Sequence, residues 1–218
     1  MRTTGTTDPP GGRAWPAAFT VDSLAGRAHS AAMDQADLRD IEATLAGLEQ
    51  AYARLVRRYQ NEITNRMWRF TRDRRELEEM VHDVFVEAYV GLKGFSGKAP
   101  FVHWLNRIAT RVGYRAWKQQ RRRALHEAPL QDWDELVESA DNTLEAAEAG
   151  EILHNLLGQL PPRDRLVLTL IYLEDLSVDQ AAERCGWSLA MVKVQAHRAR
   201  KKLRALFDKS QKAGWLKQ

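Results

Sequence analysis

The chain has 218 residues, room for one or two domains, and its 44% hydrophobic and 28% charged residues describe a folded, soluble protein. Lys and Arg number 33 against 29 Asp and Glu, a net charge of +4. The single cysteine, Cys185, excludes an intrachain disulfide framework and points to a reducing cytoplasm. No Cys-x-x-Cys occurs and no two histidines stand at i, i+4, so no metal or other cofactor is expected. Gly-rich phosphate loops and Gly-x-Ser-x-Gly elbows are equally missing, and no catalytic constellation is visible. The longest apolar-leaning run, Leu166 to Leu173, is far below the roughly 18–20 residues that span a bilayer.

Residues 1–33 are rich in Gly, Pro, Thr and Ala without a sustained period. They read as a mostly disordered tail, and Met33 is a second candidate for the start. Helical periodicity then runs through Ile41, Leu45, Leu48, Tyr52, Leu55, Val56, Tyr59 and Ile63, one amphipathic helix or two. A second stripe, Leu77, Val81, Val84, Phe85, Ala88 and Leu92, is followed by a glycine-rich loop near residues 93–99. A third stripe is Phe101, Leu105, Ile108, Val112 and Ala116. No strand alternation appears.

Charge then switches sign. Between Arg107 and Arg123 there are seven Arg or Lys and no acid, whereas from Ala124 to Gly150 there are eight acids and no Lys or Arg. The second stretch reads as an acidic linker. Further helices are expected over 151–159, 163–173, 178–184 and 189–207, with Pro161-Pro162 separating the first two. Ser177 to Gln180 fits a capping box, and Ser188 is a further N-cap. The fold is therefore all-α: a tail 1–33, a helical module 34–123, a linker 124–150, a second module 151–208 and a short tail 209–218.

The sharpest local signal lies at 178–197. Ala182 lets a second helix approach, Gly186 suits a turn with positive φ, and Val192 packs the second helix inward. Ala181, Cys185 and Trp187 fill the corner. That spacing is the skeleton of a helix-turn-helix. From Ser188 to Phe207 there are six Arg or Lys and no acid, so the second helix can neutralise phosphates, or else it merely presents a solvated basic face. On the helix around 76–92, Glu76, Glu79, Asp83 and Glu87 form one acidic ridge opposite the apolar stripe, either a solvated face or a dock for a basic partner. On the next helix Trp104 is in line with Arg107, Arg111 and Arg115. Aromatics beside cations suit unpaired bases, although Trp104 is equally well read as core.

Two long blocks carry a resemblance. Residues 79–89 (EMVHDVFVEAY) and 94–109 (GFSGKAPFVHWLNRIA) resemble region two of the sigma-70 factors of bacterial RNA polymerase, in the small extracytoplasmic-function (ECF) group. Residues 160–165 (LPPRDR) through Val192-Lys193 to 197–203 (HRARKKL) are similar to region four. The resemblance implies a region-two helical bundle and a region-four helix-turn-helix, in a sigma factor that directs core polymerase to promoters and helps open the DNA. It implies that Glu76, Glu79 and Asp83 dock on the clamp of the largest polymerase subunit. It implicates Phe95, Ser96, Lys98, Phe101, Trp104, Arg107, Arg111 and Arg115 in melting and holding the −10 element, and Lys193, Gln195, His197, Arg198 and Lys201 in reading the −35 duplex. Phosphodiester chemistry would belong to the polymerase, and an anti-sigma protein is a further expected partner. Asn106, Arg111, Asp179-Gln180-Ala181 and Val194-Gln195-Ala196 depart from the family pattern, so no promoter sequence carries over. A stand-alone helix-turn-helix regulator would explain 151–208 but not the ridge. A recombinase or nuclease would need carboxylates beside the basic stripes, and here the two are segregated.

Overall fold

The computed structural model describes residues 23–127 and 145–212, with side chains over 34–124 and 150–210. These segments are helical throughout, and no strand occurs among the described residues. Four helices build the first module: α1 (Ser23–Leu45), α2 (Glu49–Met67), α3 (Arg74–Gly91) and α4 (Phe101–Glu127). A 3-10 turn, Leu92–Gly94, leads from α3 into the loop before α4. Four more build the second module: α5 (Glu145–Gly158), α6 (Pro162–Leu168), α7 (Val178–Cys185) and α8 (Leu189–Lys212). A π turn, Thr169–Leu173, continues α6.

Several boundaries differ from the sequence reading for one reason. Helix α1 starts at Ser23, inside the expected tail 1–33, and α5 starts at Glu145, inside the expected linker 124–150. Both starts are rich in Ala, whose intrinsic helix propensity is high but which makes no apolar stripe for a periodicity argument to find. Helix α4 runs on to Glu127 and α8 to Lys212, past the last apolar position of each pattern. Residues 1–22, 128–144 and 213–218, including most of the expected linker, lie outside the described residues.

Helix ends follow local chemistry. Asp73 caps α3 by accepting from the Glu76 N–H at 2.9 Å. The Ser177 capping box is complete, with Gln180 returning the bond to the Ser177 N–H at 2.8 Å. Ser188 caps α8 through the Met191 N–H at 3.3 Å. Gly186 takes φ of +68°, the left-handed end that an L side chain disfavours, and the chain turns there from α7 into α8. Ala181, Ala182 and Val192 are buried at that corner with Cys185 and Trp187 packed on them, as the sequence spacing requires. Burial pushes the Cys185 thiol up to about 12, which keeps it protonated and inert.

The core of the first module is the expected set: Leu55, Tyr59, Ile63, Leu77, Val84, Phe85, Ala88, Leu92, Leu105, Ile108 and Val112. Val81 is only partly covered. Asp37 and Asp40 tie α1 to α2 through Arg58 and Arg54, with the Arg54 bond at 2.7 Å. Phe70 closes the far end against the bare backbone of Gly113, where an added Cβ would come within 2.2 Å of the ring.

Gly113→Ala should therefore force Phe70 off its site. The expected loss is about 1–3 kcal/mol, read as a lower melting temperature in circular dichroism with the helical signal at low temperature unchanged.

Candidate protein-docking and nucleic-acid surfaces

The acidic ridge stands on the solvent side of α3, but its members differ in their freedom. Glu76 accepts a 2.7 Å bond from the Thr71 hydroxyl, Glu79 pairs with Arg75 at 3.2 Å, and Glu87 accepts from Arg115. Asp83 is exposed and has no partner among the described residues. Beside the ridge lie Val86, Tyr89 and Val90, 45%, 51% and 76% exposed. They border an open groove of about 670 Å³ between α2 and α3, lined by Tyr52, Val56, Leu77, Val81 and Phe85. The sequence reading missed this apolar strip because Val86 and Val90 fall outside the core period. Apolar residues off the core stripe, interleaved with the acids, were the available signal.

The loop before α4 and the helix itself form a second surface. Phe95 stacks edge-on against Phe101 at 5.6 Å and tilts on Trp104 at 5.5 Å. Phe101 corrects the sequence reading: it is 2% exposed and packs on Tyr59 at 5.7 Å, a core residue beneath the loop rather than a DNA contact. The apolar period already placed it on the inner stripe. Trp104 is half-buried, with one edge against Gly91 at ordinary contact distance, so it joins core to surface. Ser96 and Lys98 are exposed on the loop, and Arg107 and Arg111 are exposed on α4 without partners among the described residues. Arg115 is exposed but engaged by Glu87. A smaller cavity, about 250 Å³, opens between α1 and the loop, lined by Asp34, Leu38, Phe95, Lys98 and Phe101. Burial pushes the neighbouring Asp37 carboxyl above its ordinary range, against the donation it receives from Tyr59 and Arg58. Asn106 is buried and donates to Glu62 at 3.1 Å, so it points away from this surface.

The third surface is the outer face of α8. Lys193, His197 and Lys201 step by four along it, flanked by Arg198, and all four are exposed. Gln195 corrects the reading: its amide donates to Asp164 at 2.5 Å, turned inward toward α6. Lys202 reaches the other oxygen of Asp164 at 2.6 Å, and Arg200 donates to the Tyr172 hydroxyl at 2.9 Å. Asp164 is 1% exposed, so both bonds serve the fold. Arg204, exposed and without a partner among the described residues, extends the basic face by one turn. Val194, 50% exposed, adds an apolar contact of the kind that meets thymine methyl groups. Among the described residues no three His, Cys, Asp or Glu side chains stand together as metal ligands. Nor is any described helix long and apolar enough to cross a membrane.

Comparison with known proteins assigns these surfaces to two regions. Residues 55–123 match the family model for Sigma-70 region 2, and residues 150–203 that for Sigma-70, region 4. The chain is 28% identical over 169 residues to the ECF RNA polymerase sigma-E factor of Haemophilus influenzae, covering 73% of this chain and 89% of that protein. It is 28% identical over 173 residues to the RNA polymerase sigma-H factor of Pseudomonas aeruginosa, covering 75% and 90%. Among solved structures, CnrH in complex with the cytosolic domain of CnrY aligns with a TM-score of 0.51 at 26% identity, over 79% of this chain and 97% of that one. The sigma factor RpoE of Bartonella quintana, solved with the anti-sigma factor NepR, has the same fold, with a TM-score of 0.50 at 18% identity over 72% and 96%.

Gln195→Ala should cost about 1 kcal/mol by leaving one oxygen of a buried carboxylate without its donor. Denaturant unfolding would show this as a lower midpoint, with the positive charge of the outer α8 face unaltered.

Proposed function

The chain belongs to the sigma-70 family, in its extracytoplasmic-function group, and from that premise we propose how its three surfaces divide the work. The protein is a sigma factor: it binds core bacterial RNA polymerase, directs it to promoters through the −35 and −10 elements, and helps open the DNA for initiation. Sigma factors are initiation factors rather than enzymes, and phosphodiester bond formation is left here to the polymerase, in the cytoplasm.

The α3 face is the polymerase dock. Asp83, unpaired at the centre of the ridge, with Glu79 and Glu76 on either side, would meet a basic helical clamp. Val86, Tyr89 and Val90 would add apolar area to that contact. Ion pairs on such a rim set orientation and encounter rate, while the buried apolar patch supplies most of the affinity. An anti-sigma protein is a fitting competitor for the same apolar groove.

The loop and α4 are the −10 surface. Arg107 and Arg111 would track the backbone of the non-template strand, and Phe95 with the free edge of Trp104 would stack an unpaired base. Stacking contributes about 1–3 kcal/mol per base, comparable to the few kcal/mol that extrusion from the duplex costs. Melting is thus close to balanced and depends on the rest of the complex. Helix α8 is the −35 reader, with Lys193, His197, Arg198, Lys201 and Arg204 facing phosphates and base edges from the major groove. Region two and region four on one tether bind promoter DNA more tightly than either alone through effective concentration.

The presence of both matched regions, each carrying its own exposed surface of the appropriate sign, supports this reading over a stand-alone helix-turn-helix regulator. Such a regulator would have no use for the ridge or the α4 stripe. Asp83→Lys should abolish co-elution with core polymerase while the circular dichroism spectrum and melting temperature stay as in the wild type. Wild-type retention on core would refute the docking role. In the reconstituted holoenzyme, Lys193→Ala should lower transcription from −35-dependent promoters several-fold without changing core affinity, and equal transcription from all promoters would remove Lys193 from the reading face.

A further inference from the structure

The two modules are not separate in the free chain. Arg66 on α2 donates to Glu174, the residue that follows the π turn of the second module, and Arg184 on α7 approaches the same carboxylate at 3.9 Å. Arg72 pairs with Glu151 on α5 at 3.0 Å. The Arg165 guanidinium lies over the Trp117 ring at 4.0 Å, and Tyr114 meets Trp187 edge-on at 6.0 Å. Asp175, with φ of +52°, closes the π turn so that Glu174 faces α2 and not solvent. These contacts join the same α4 that carries the basic stripe to the first helix of the helix-turn-helix.

The geometry points to an autoinhibitory latch: Glu174 with Arg66, and Arg165 with Trp117, hold region four against region two in the free factor, and polymerase binding requires the latch to open. This rests on the sigma reading above. Centres of −35 and −10 elements lie about 25 base pairs apart, which at 3.4 Å per pair is about 85 Å. A compact body of 218 residues has a radius of gyration near 17 Å, hence a diameter near 45 Å. One docked body cannot touch both elements. Residues 128–144, stretched at about 3.5 Å each, reach roughly 60 Å, enough to bridge the gap once the modules part.

The character of the contact suits release. The Arg66 Nε, Glu174 Oε1 and Arg165 Nε atoms are buried without hydrogen-bond partners, and burial lowers the affinity of the Arg184 and Arg165 guanidinium groups for their protons. A buried ionic contact with unsatisfied atoms recovers little of its desolvation cost, so it specifies one docked arrangement without holding it strongly. Only the open fraction can engage polymerase, and the apparent affinity falls in proportion to that fraction.

The test uses the full chain in two latch variants, Arg66→Glu and Glu174→Ala, on opposite sides of the contact. Small-angle scattering should give the wild type a compact radius near 17–20 Å and each variant a radius at least about 5 Å larger, with helical content unchanged. Both variants should then bind core polymerase about 5–10-fold more tightly. A wild type as extended as its variants would overturn the latch, and opened variants with no gain in core affinity would overturn its inhibitory role. If scattering separates the variants but no form binds core, the latch stands and the polymerase reading fails.

Discussion

A single stack of three side chains joins the parts of this molecule. Trp117, 3% exposed, donates its indole N–H to the Phe70 carbonyl at 2.6 Å and lies 4.5 Å from the Phe70 ring. Its other face receives Arg165 from the second module. Phe70 in turn occupies the space that Gly113 leaves open. The segment between α2 and α3, the helix that carries the DNA-facing arginines, and the docking face of the helix-turn-helix module are therefore registered to one aromatic column. Cation–π contacts of this kind are worth the most when the cation is desolvated, and Arg165 is 7% exposed.

Charge is arranged around that column by sign. Acids occupy the outer face of α3, and unpaired arginines occupy α4 one helix away, with Arg115 and Glu87 forming the bridge where the two faces meet. That bridge explains why the ridge and the stripe do not neutralise one another generally: one pair satisfies their boundary, and the remaining members point to different partners. A second buried carboxylate, Asp164, does comparable work in the other module by collecting Gln195 and Lys202. Those two bonds set the rotation of α8 about its own axis, and so decide which of its basic residues face outward.

The helical architecture was legible in the sequence because apolar spacing, caps and turn residues agree there. Leu55, Tyr59 and Ile63 repeat on one face, Ser177 and Gln180 meet the requirements of a capping box, and Gly186 stands where a left-handed residue is needed. Asp83, Arg107, Arg111, Lys193 and His197 were legible as surface because they lie off those stripes. Phe101 and Gln195 were not read correctly. A position inferred from a family motif says which residue occupies a segment, but not whether its side chain points to ligand or to Tyr59 and Asp164. The starts of α1 and α5 escaped because alanine favours a helix without marking a face.

By itself the sequence determined an all-α chain of two modules, the helix-turn-helix, and the segregation of acids from basic stripes, since each of these depends on residues close together along the chain. Tertiary structure alone decided which charges are already spent on one another and which remain free, as with Glu87 and Asp83. It also decided that Arg66 and Glu174, 108 positions apart, share one contact. The physical reason is range: periodicity and capping act within a few residues, whereas the pairing of a buried carboxylate is settled only when the whole chain has brought its donors together.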